Sequence, residues 1–480
     1  MNNIFELSKI NAMDVVSFDK ELSSLISEGY LVSAYFVVKY KRDRVRICFL
    51  ARGSDLKLIA GEVREKLNSL TPMHFQLFCF EREIYEDEGI IFEGHPLLNP
   101  LRYKKTNQKE AKFIKVEGDE IHEVGVGPVH AGIIEPGHFR FQCHGEKVFN
   151  LQIELGYQHR GVEENLIGGP NKKTYHYIQT AAGDSTAAHT ISYAKMMEAL
   201  LDLKVSEESE ILRVMVLELE RMANHCGDLG ALANDVAYQP TASFCGRIRG
   251  DILNTTALIC GNRFGRNLIS IGGCNFDIDK NIKEEIEVRL KNIYSDFINA
   301  SELLWNDNWV VDRFKNTGIV DKKITAEIGG VGPAARAAGV NNDSREFFDF
   351  KVYKKLGFKA DLLKTGDVYS RAYIRYLEFK KSYGIITSLL GEFEKIKKES
   401  YEKEMMVPRD ILAFGISEGW RGLVFHTAVT DDQGRFIKYK IVDPSFHNWQ
   451  MLAYALKNEE ISNFPLCNKS FNLSYCGFDL

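Results

Sequence analysis

The stretch ELERMANHCGDLGALANDVAY, from Glu218 to Tyr238, lies within a long predicted helix that begins near Glu207. Ser206 is a suitable N-cap, and the acidic residues that follow it interact favourably with the positive end of a helix. Most of the helix circumference is apolar, which predicts burial in the core of a bundle. The stretch therefore predicts a mainly α-helical domain built around this helix.

A polar stripe interrupts the apolar surface of the helix. Arg221, Asp228 and Asp235 recur every seven residues and so lie near one face, with Asn224 and His225 three or four residues away from them. Buried polar groups are costly unless they pair with one another. Two interpretations stay open. The stripe is either a satisfied structural network or a path for protons or a ligand, because carboxylates with shifted pKa values collect at functional sites.

Residues 121–480 are predicted to form this mainly α-helical domain, with a small β portion between Val124 and Phe149. A second long helix is expected after Asp279, where isoleucines recur near helical spacing. A third is expected from Asp367 to Glu404.

Residues 1–105 predict a separate α+β domain. Two runs rich in β-branched and aromatic residues, YLVSAYFVVKY and RVRICFLAR, predict a hairpin. A helix is expected in DLKLIAGEVREKLNSL and a further strand in HFQLFCFERE. Residues 106–120 are polar and rich in charge, so we interpret them as an exposed linker between the two domains.

Composition excludes several classes of protein. The net charge of -5 is spread along 480 residues, without the basic stripe that nucleic acids or membrane surfaces attract. No window approaches 18 consecutive apolar residues, and the amino terminus lacks a secretory pattern. Nine scattered cysteines without a C-x-x-C pair argue against both a disulfide framework and a thiolate metal site.

Two histidines flank a carboxylate in GPVHAGIIEPGHFRF, residues 127–141. Glycine and proline predict a tight turn that presents Glu135 between His130 and His138. Alone, this pattern also fits an ordinary surface turn. Arg421 is placed on a later turn, in SEGWRGLVFH.

Together these motifs resemble the hydrophilic subunits of respiratory complex I and, in particular, the fused large subunit of energy-converting NiFe hydrogenases of the formate-hydrogenlyase type. One motif, EREIYEDEGIIFEGHPLLNPLRY (residues 81–103), resembles the smaller complex I subunit. Five further motifs resemble the large subunit and follow the family's order. They are residues 127–141, GYQHRGVEENL (156–166), residues 218–238, GDVYSRAYIRYLEFKKSYGII (366–386) and YKIVDPSFHNW (439–449). The resemblance covers nearly the whole chain and implies a NiFe-hydrogenase large-subunit-like fold for residues 121–480.

The resemblance also implies that this chain holds no metal. The family's NiFe centre needs four thiolates, since soft sulfur donors bind nickel and bridge it to iron. The four ligand positions hold Ala182, Ser185, Ser474 and Gly477 instead. Cys476 falls one residue short of a ligand position, and on an extended tail it would face away from the pocket. The tail ends where the processed form of such subunits ends.

Complex I large subunits place a quinone headgroup where the metal would lie, between a histidine and a tyrosine. Those positions correspond here to Glu135 and Gly183, so the resemblance implies that both contacts are missing. Asp235 matches the aspartate that couples to the quinone site, Arg421 matches the basic residue over the metal pocket, and Glu135 matches the proton-transfer glutamate of the hydrogenases. The implied site comprises Glu135, Asp235, Arg421 and His138, with His130, Gly183, Asp184 and Ser474 as further pocket residues.

The resemblance implies a subunit of a membrane-attached oxidoreductase complex that couples electron transfer to proton handling without a NiFe centre. It implies as partners an iron–sulfur small subunit, a ferredoxin-like subunit and ion-translocating membrane subunits. No cofactor is expected in this chain, and its implied location is the cytoplasmic face of the cell membrane. Two alternatives stay open: a quinone-binding subunit with altered headgroup contacts, and a catalytically silent scaffold.

Overall fold

The computed structural model describes residues 3–40, 43–104, 112–118, 120–132, 134–348, 350–401 and 406–480. Residues 106–111 and 119 of the predicted linker therefore lie outside the described residues. The fold mixes helices and strands along the whole chain. The prediction that the chain contains both helices and strands agrees with this mixture.

The amino-terminal part combines a hairpin-based sheet with two helices. Its elements are β1 (Ile4–Glu6), α1 (Val15–Ser27), β2 (Leu31–Tyr40), β3 (Asp43–Arg52), β4 (Asp55–Glu62), β5 (Lys66–Asn68), α2 (Phe78–Glu88) and β6 (Ile91–Glu93), with 3-10 turns at Leu7–Lys9 and Phe75–Leu77. The predicted hairpin is confirmed, since β2 and β3 pair antiparallel with Tyr35 opposite Cys48. Strand β5 pairs parallel with β6.

Two predictions for this part were wrong. The segment from residue 55 to 70 forms β4 and β5 instead of a helix, because β4 pairs antiparallel along β3, with Ala60 opposite Ile47. The segment from 74 to 83 enters α2 instead of a strand. Helix α2 is buried nearly all round, including the charged Glu81 and Arg82, so no polar face marks it in the sequence.

A second antiparallel sheet opens the large domain, formed by β7 (Ile121–Val126), β8 (His138–His144) and β9 (Lys147–Glu154). The end of the predicted linker packs beside this sheet. The Gln152 side chain donates to the Lys112 carbonyl at 2.9 Å, and Gln142 donates to the Ile114 carbonyl at 2.6 Å.

Helices dominate the middle of the chain. They are α3 (Val162–Leu166), α4 (Thr174–Gln179), α5 (Thr186–Leu200), α6 (Glu207–Asp235), α7 (Gln239–Cys260), α8 (Lys280–Trp305), α9 (Asn308–Phe314), α10 (Lys322–Ile328), α11 (Gly332–Ala337), α12 (Ser344–Phe347), α13 (Lys351–Lys355) and α14 (Val368–Gly391), with a small ladder of β10 (Ile269–Ser270) and β11 (Gly273–Cys274) between α7 and α8.

The three long helices predicted from the sequence are confirmed at their starts. Ser206, Asp279 and Asp367 each accept a backbone N–H in the first turn of α6, α8 and α14. Helix α14 ends at Gly391, earlier than predicted. The chain beyond it turns away to form β-bridges, for example from Ile396 to Ile278.

A third sheet joins the two ends of the chain. It contains β12 (Ile411–Gly419), β13 (Gly422–Thr430) and β14 (Phe436–Val442), and β1 pairs antiparallel with β12 to give the order β1-β12-β13-β14. Then follow α15 (Pro444–Ala455), a 3-10 turn (Ile461–Asn463), α16 (Phe464–Phe471) and α17 (Tyr475–Asp479). The tail is therefore helical around Cys476, and the extended tail of the sequence prediction was wrong.

Polar contacts also join the amino-terminal part to the large domain. Arg82 pairs with Glu154 at 3.1 Å, and Arg102 Nε donates to the carbonyl of Phe478 at 2.9 Å. All four residues are buried, and apolar residues from both parts belong to one core.

Candidate functional site

A pocket of about 420 Å³ lies where the 127–139 segment, the end of α6, the β12–β13 turn and the chain from α16 to α17 meet. Its walls contain several of the residues that the sequence singled out: His130, Glu135, Asp184, Asp235 and Arg421. The structure thus brings together side chains from four distant parts of the sequence.

Glu135 lies on a tight turn that its glycines permit. Gly127 has a φ of +84°, and a Cβ there would lie 2.2 Å from the Gly137 carbonyl oxygen and 2.6 Å from the His130 ring. His130 Nε2 lies 2.9 Å from the same carbonyl oxygen. Glu135 is half-buried and lines the pocket. The backbone of the turn holds the glutamate at the pocket wall.

Arg421 and Asp184 form a two-pronged ion pair across the pocket. Arg421 Nη1 and Nη2 donate to the two Asp184 carboxylate oxygens at 2.6 and 2.7 Å, and Nε donates to the Asn472 carbonyl at 2.6 Å. The guanidinium also lies over the Trp420 ring, 3.8 Å from its centre. Planar bidentate pairing of this kind fixes both groups. Arg421 is therefore a rigid positive charge at the pocket.

Asp235 lies at the pocket rim rather than in a buried stripe. It is the last residue of α6 and its side chain is exposed, which corrects the expectation of burial. Desolvation by the surrounding protein raises the pKa of Asp235 to about 6, while the positive charge of Lys469 opposes this shift. Arg221, which belongs to the same predicted stripe, donates to the Glu418 and Gly419 carbonyls and not to Asp235.

Cys476 is not among the pocket walls, although the negative charges of Glu135 and Asp184 act on its thiol. Its thiol is half-buried, whereas the other described cysteines are buried. Desolvation and the negative charge of Glu135 raise the pKa of the Cys476 thiol to about 11, and Asp184 contributes in the same direction.

The remaining predicted pocket residues lie nearby but differ in role. Ser474 caps α17 by accepting the Gly477 N–H at 2.9 Å. Gly183 is exposed, and a Cβ added there would meet nothing within 4 Å. His138 is the first residue of β8, with Nδ1 3.4 Å from the Gly127 carbonyl oxygen, and it is not among the pocket walls.

The residues at the family's NiFe positions do not fit that metal centre. Ala182 and Gly477 carry no donor side chain, and thiolates are the donors that nickel and iron require there. The Ser474 hydroxyl is occupied by its helix cap. Among the described residues, no group of three or more His, Cys, Asp or Glu side chains is placed to hold a metal ion.

The polar stripe of α6 is part of a buried ion cluster. The cluster comprises Glu218, Arg221, His225, Arg336, Asp343, Arg345, Glu378 and Glu418, none of them more than 2 % exposed. Arg336 Nε lies 2.7 Å from Glu378 and Nη1 lies 2.8 Å from Glu418. His225 Nε2 lies 2.8 Å from Glu378. The partners come from distant segments, which is why sequence spacing on α6 revealed only part of the cluster.

The pKa values of two acids in this cluster are shifted in opposite directions. Burial alone would raise the pKa of Glu378, but Arg336 and His225 hold it well below its usual range. Burial and the neighbouring Asp343 raise the pKa of Glu418 to about 7. The pairing supports the structural interpretation for this part of the stripe, since most of its charges are matched by partners.

One stripe residue connects the cluster side of α6 with the pocket. Asp228 pairs with Arg375 at 2.6 Å and accepts the Asn472 side-chain N–H at 2.5 Å. The carbonyl of Asn472 in turn accepts Arg421. Asn472 was not singled out in the sequence, although it lies only two residues before Ser474.

Comparison with known proteins identifies relatives of this chain. Residues 235–413 match the family described as respiratory-chain NADH dehydrogenase, 49 Kd subunit. The membrane-bound hydrogenase subunit alpha of Pyrococcus furiosus is 27% identical over 365 residues, which cover 73% of this chain and 85% of that protein. The chain is a homologue of these oxidoreductase subunits. The resemblance inferred from the motifs is confirmed.

Homology extends into the amino-terminal part of the chain. Formate hydrogenlyase subunit 5 of Escherichia coli is 26% identical over 437 residues, covering 85% of this chain and 76% of that protein. A solved structure of an archaeal respiratory membrane complex, the membrane-bound sulfane sulfur reductase, contains a chain with the same fold. That chain superposes with a TM-score of 0.68 at 21% identity over 75% of this chain and 99% of its own length.

These homologues are subunits of membrane-bound hydrogenase and respiratory NADH dehydrogenase complexes. No helix within the described ranges of this chain is long and apolar enough to cross a bilayer. The chain is thus related to subunits of multi-subunit oxidoreductase complexes.

Proposed function

We propose that this chain is a subunit of a membrane-attached oxidoreductase complex in which the pocket couples electron transfer to proton movement without a NiFe centre. The observation that carries the proposal is the convergence of Glu135, Asp184, Asp235 and Arg421 on one pocket. Homology to membrane-bound hydrogenase and NADH dehydrogenase subunits supports the kind of complex.

The pocket has the properties that proton handling requires. Glu135 is a carboxylate that is partly withdrawn from water, and Asp235 has a pKa near 6, so it gains and loses protons close to neutral pH. The fixed charge of Arg421 stabilises an anion or an electron-rich group that enters the pocket. Acids that exchange protons beside a fixed cation suit a reduction in which protons follow electrons.

The proposed partners follow from the same homology. We infer an iron–sulfur small subunit beside the pocket, a ferredoxin-like subunit and membrane subunits that move ions, at the cytoplasmic face of the membrane. The electrons are supplied by the iron–sulfur partner in this proposal. The pocket residues of this chain supply the protons.

Replacing Glu135 by Gln and Asp235 by Asn tests the proposal. Each substitution keeps size and hydrogen bonding, so the complex should assemble, while oxidation of reduced methyl viologen should fall about 10²-fold or more. Glu208→Gln is the matched control, because Glu208 is an exposed acid on the same helix and far from the pocket. Normal electron flow in both assembled pocket variants would overturn the proposal and favour a silent scaffold.

A quinone is the second candidate ligand, and one observation favours it. His130 and Tyr475 both line the pocket, so a histidine and a tyrosine are present even though neither occupies the position expected from the family. An azido-ubiquinone probe should then label residues around His130 or Tyr475 on illumination. Excess unlabelled quinone should prevent the labelling.

A further inference from the structure

A second, much smaller cavity lies behind Asp184. Its volume is about 10 Å³, which is close to the space that one water molecule needs. Its walls are Asp184, Val216, Glu220, Asn224, Leu253, Thr256, Arg263 and Phe264. Arg263 is exposed, so this wall of the cavity borders solvent.

Asp184 is a wall of both cavities. On the pocket side its carboxylate is held by Arg421 through both terminal nitrogens. On the other side its carbonyl accepts the Asn224 side-chain N–H at 2.9 Å, and the same side chain donates to the Glu220 carbonyl at 2.9 Å. Asn224 therefore keeps the backbones of Asp184 and Glu220 in a fixed relation.

Glu220 is the titratable side chain on the far side of Asp184. Its two oxygens accept the backbone N–H groups of Ala187 and Ala188 at 2.7 and 3.4 Å, which aims the carboxyl at the start of α5. Burial, opposed by the Ala187 N–H and reinforced by the negative charge of Asp184, raises the pKa of Glu220 to about 8. Arg221 opposes the shift weakly, and the exposed Arg263 also borders the cavity.

We propose that Glu220 is a proton-relay residue through which the Glu135 pocket exchanges protons with solvent on the Arg263 side. The inference rests on the proposed function and adds a route to it. Asp184, which Arg421 holds in place, borders both cavities, and its carboxylate attracts a proton that passes beside it.

The relay consists of proton transfers alone. The Glu220 carboxylate takes a proton from solvent through a water in the small cavity, and then releases it through water beside Asp184 to the deprotonated acid of the pocket. Glu220 returns to its carboxylate form, and no electron is transferred. The pocket acid has gained the proton that solvent lost.

The direct test is the protonation state of Glu220 in the whole complex. A pH-difference infrared spectrum should contain a carboxylic-acid C=O band that titrates near pH 8. Glu220→Gln should remove this band and keep the cap on α5, because the amide oxygen still accepts the Ala187 N–H. Glu210→Gln is the matched control, since Glu210 is a half-buried glutamate on α6 that borders neither cavity.

Electron flow supplies the second readout. The pH profile of methyl viologen oxidation should lose a step near pH 8 in Glu220→Gln, and the rate at pH 7 should fall about tenfold. The loss should be smaller than in Glu135→Gln, because the pocket mouth still admits protons. Leu253→Phe, which fills the small cavity while leaving Glu220 in the chain, should slow the reaction in the same way.

The outcomes separate this inference from the proposed function. If Glu135→Gln stops electron flow while Glu220→Gln and Leu253→Phe leave rate and pH profile unchanged, the relay is overturned and the pocket function stands. If Glu135→Gln is also without effect, both are overturned. A band near pH 8 that persists in Glu220→Gln would assign that proton to another group and overturn the relay.

Discussion

Both terminal nitrogens of Arg421 donate to the carboxylate of Asp184, at 2.6 and 2.7 Å. The pair joins the β12–β13 turn to the loop before α5, although 237 residues separate its members in sequence. It closes one side of the pocket and separates the pocket from the small cavity. The charge at the pocket wall is therefore a property of the tertiary fold.

Replacing Arg421 by Lys should weaken the contact with Asp184 at the pocket wall and so destabilise the protein. Lysine keeps the positive charge but offers a single ammonium, so the second bond to Asp184 and the bond to the Asn472 carbonyl are lost. We expect a cost of about 2 kcal/mol, the scale of hydrogen bonds to charged groups. Thermal denaturation of the purified complex measures it. Asp184→Asn combined with Arg421→Lys should cost less than the sum of the single changes if the pair acts as a unit.

Local signals in the sequence predicted where the long helices begin. Ser206, Asp279 and Asp367 accept backbone N–H groups as their residue types suggest, because an N-cap is decided within a few residues. The misassigned segments depend on partners from elsewhere. Residues 55–62 become a strand by pairing with β3, and residues 78–88 form a helix with almost no exposed face.

Removing Arg336 should destabilise the protein more than removing any surface arginine. Arg336 is fully buried and pairs with Glu378, Asp343 and Glu418, so Arg336→Met leaves buried carboxylates without their cation. The expected cost is about 3–5 kcal/mol. Arg247→Met is the control, because Arg247 is half-exposed in its ion pairs and its removal should barely change the melting temperature. Equal losses of melting temperature in the two variants would contradict the prediction.

The sequence named several candidate site residues but gave no prediction of how they are arranged. Glu135, Asp184 and Arg421, which the resemblance named as candidate site residues, line the same pocket. Asp235 is exposed because α6 ends there, and helix ends are poorly fixed by sequence. Glu220 was missed, although an acid next to Arg221 on a largely apolar helix was a visible signal.

Stability should fall as the pH rises from about 6.5 to 8. The pKa of Glu220 is raised to about 8 and that of Glu418 to about 7, so the folded protein keeps protons that the unfolded chain has already lost above its carboxyl pKa of 4.5. The unfolded state binds fewer protons in this window, and the free energy of unfolding must decrease with pH. Burial lowers the pKa of His447 to about 4, so the contribution of this residue to stability is lost only as the pH falls below 6.5. Melting temperatures in this window should fall less steeply for Glu220→Gln than for the unchanged chain, and an identical slope would contradict the assignment.

Cys476 should react slowly with alkylating reagents although it is the accessible one among the described cysteines. Its thiol pKa is raised to about 11 by burial and by the negative charge of Glu135, and the thiolate is the reactive form. At pH 8 roughly 10⁻³ of the thiol is ionised, against roughly a quarter for a free cysteine, so iodoacetamide should modify it about 10²-fold more slowly. Glu135→Gln removes the nearby negative charge, lowers the thiol pKa and should speed the reaction, whereas Glu208→Gln, on the outer part of α6, should not. Peptide mass spectrometry over time gives both rates. Modification of Cys476 at the rate of a free thiol, or at the same rate with and without Glu135, would show that the carboxylate does not act on the thiol.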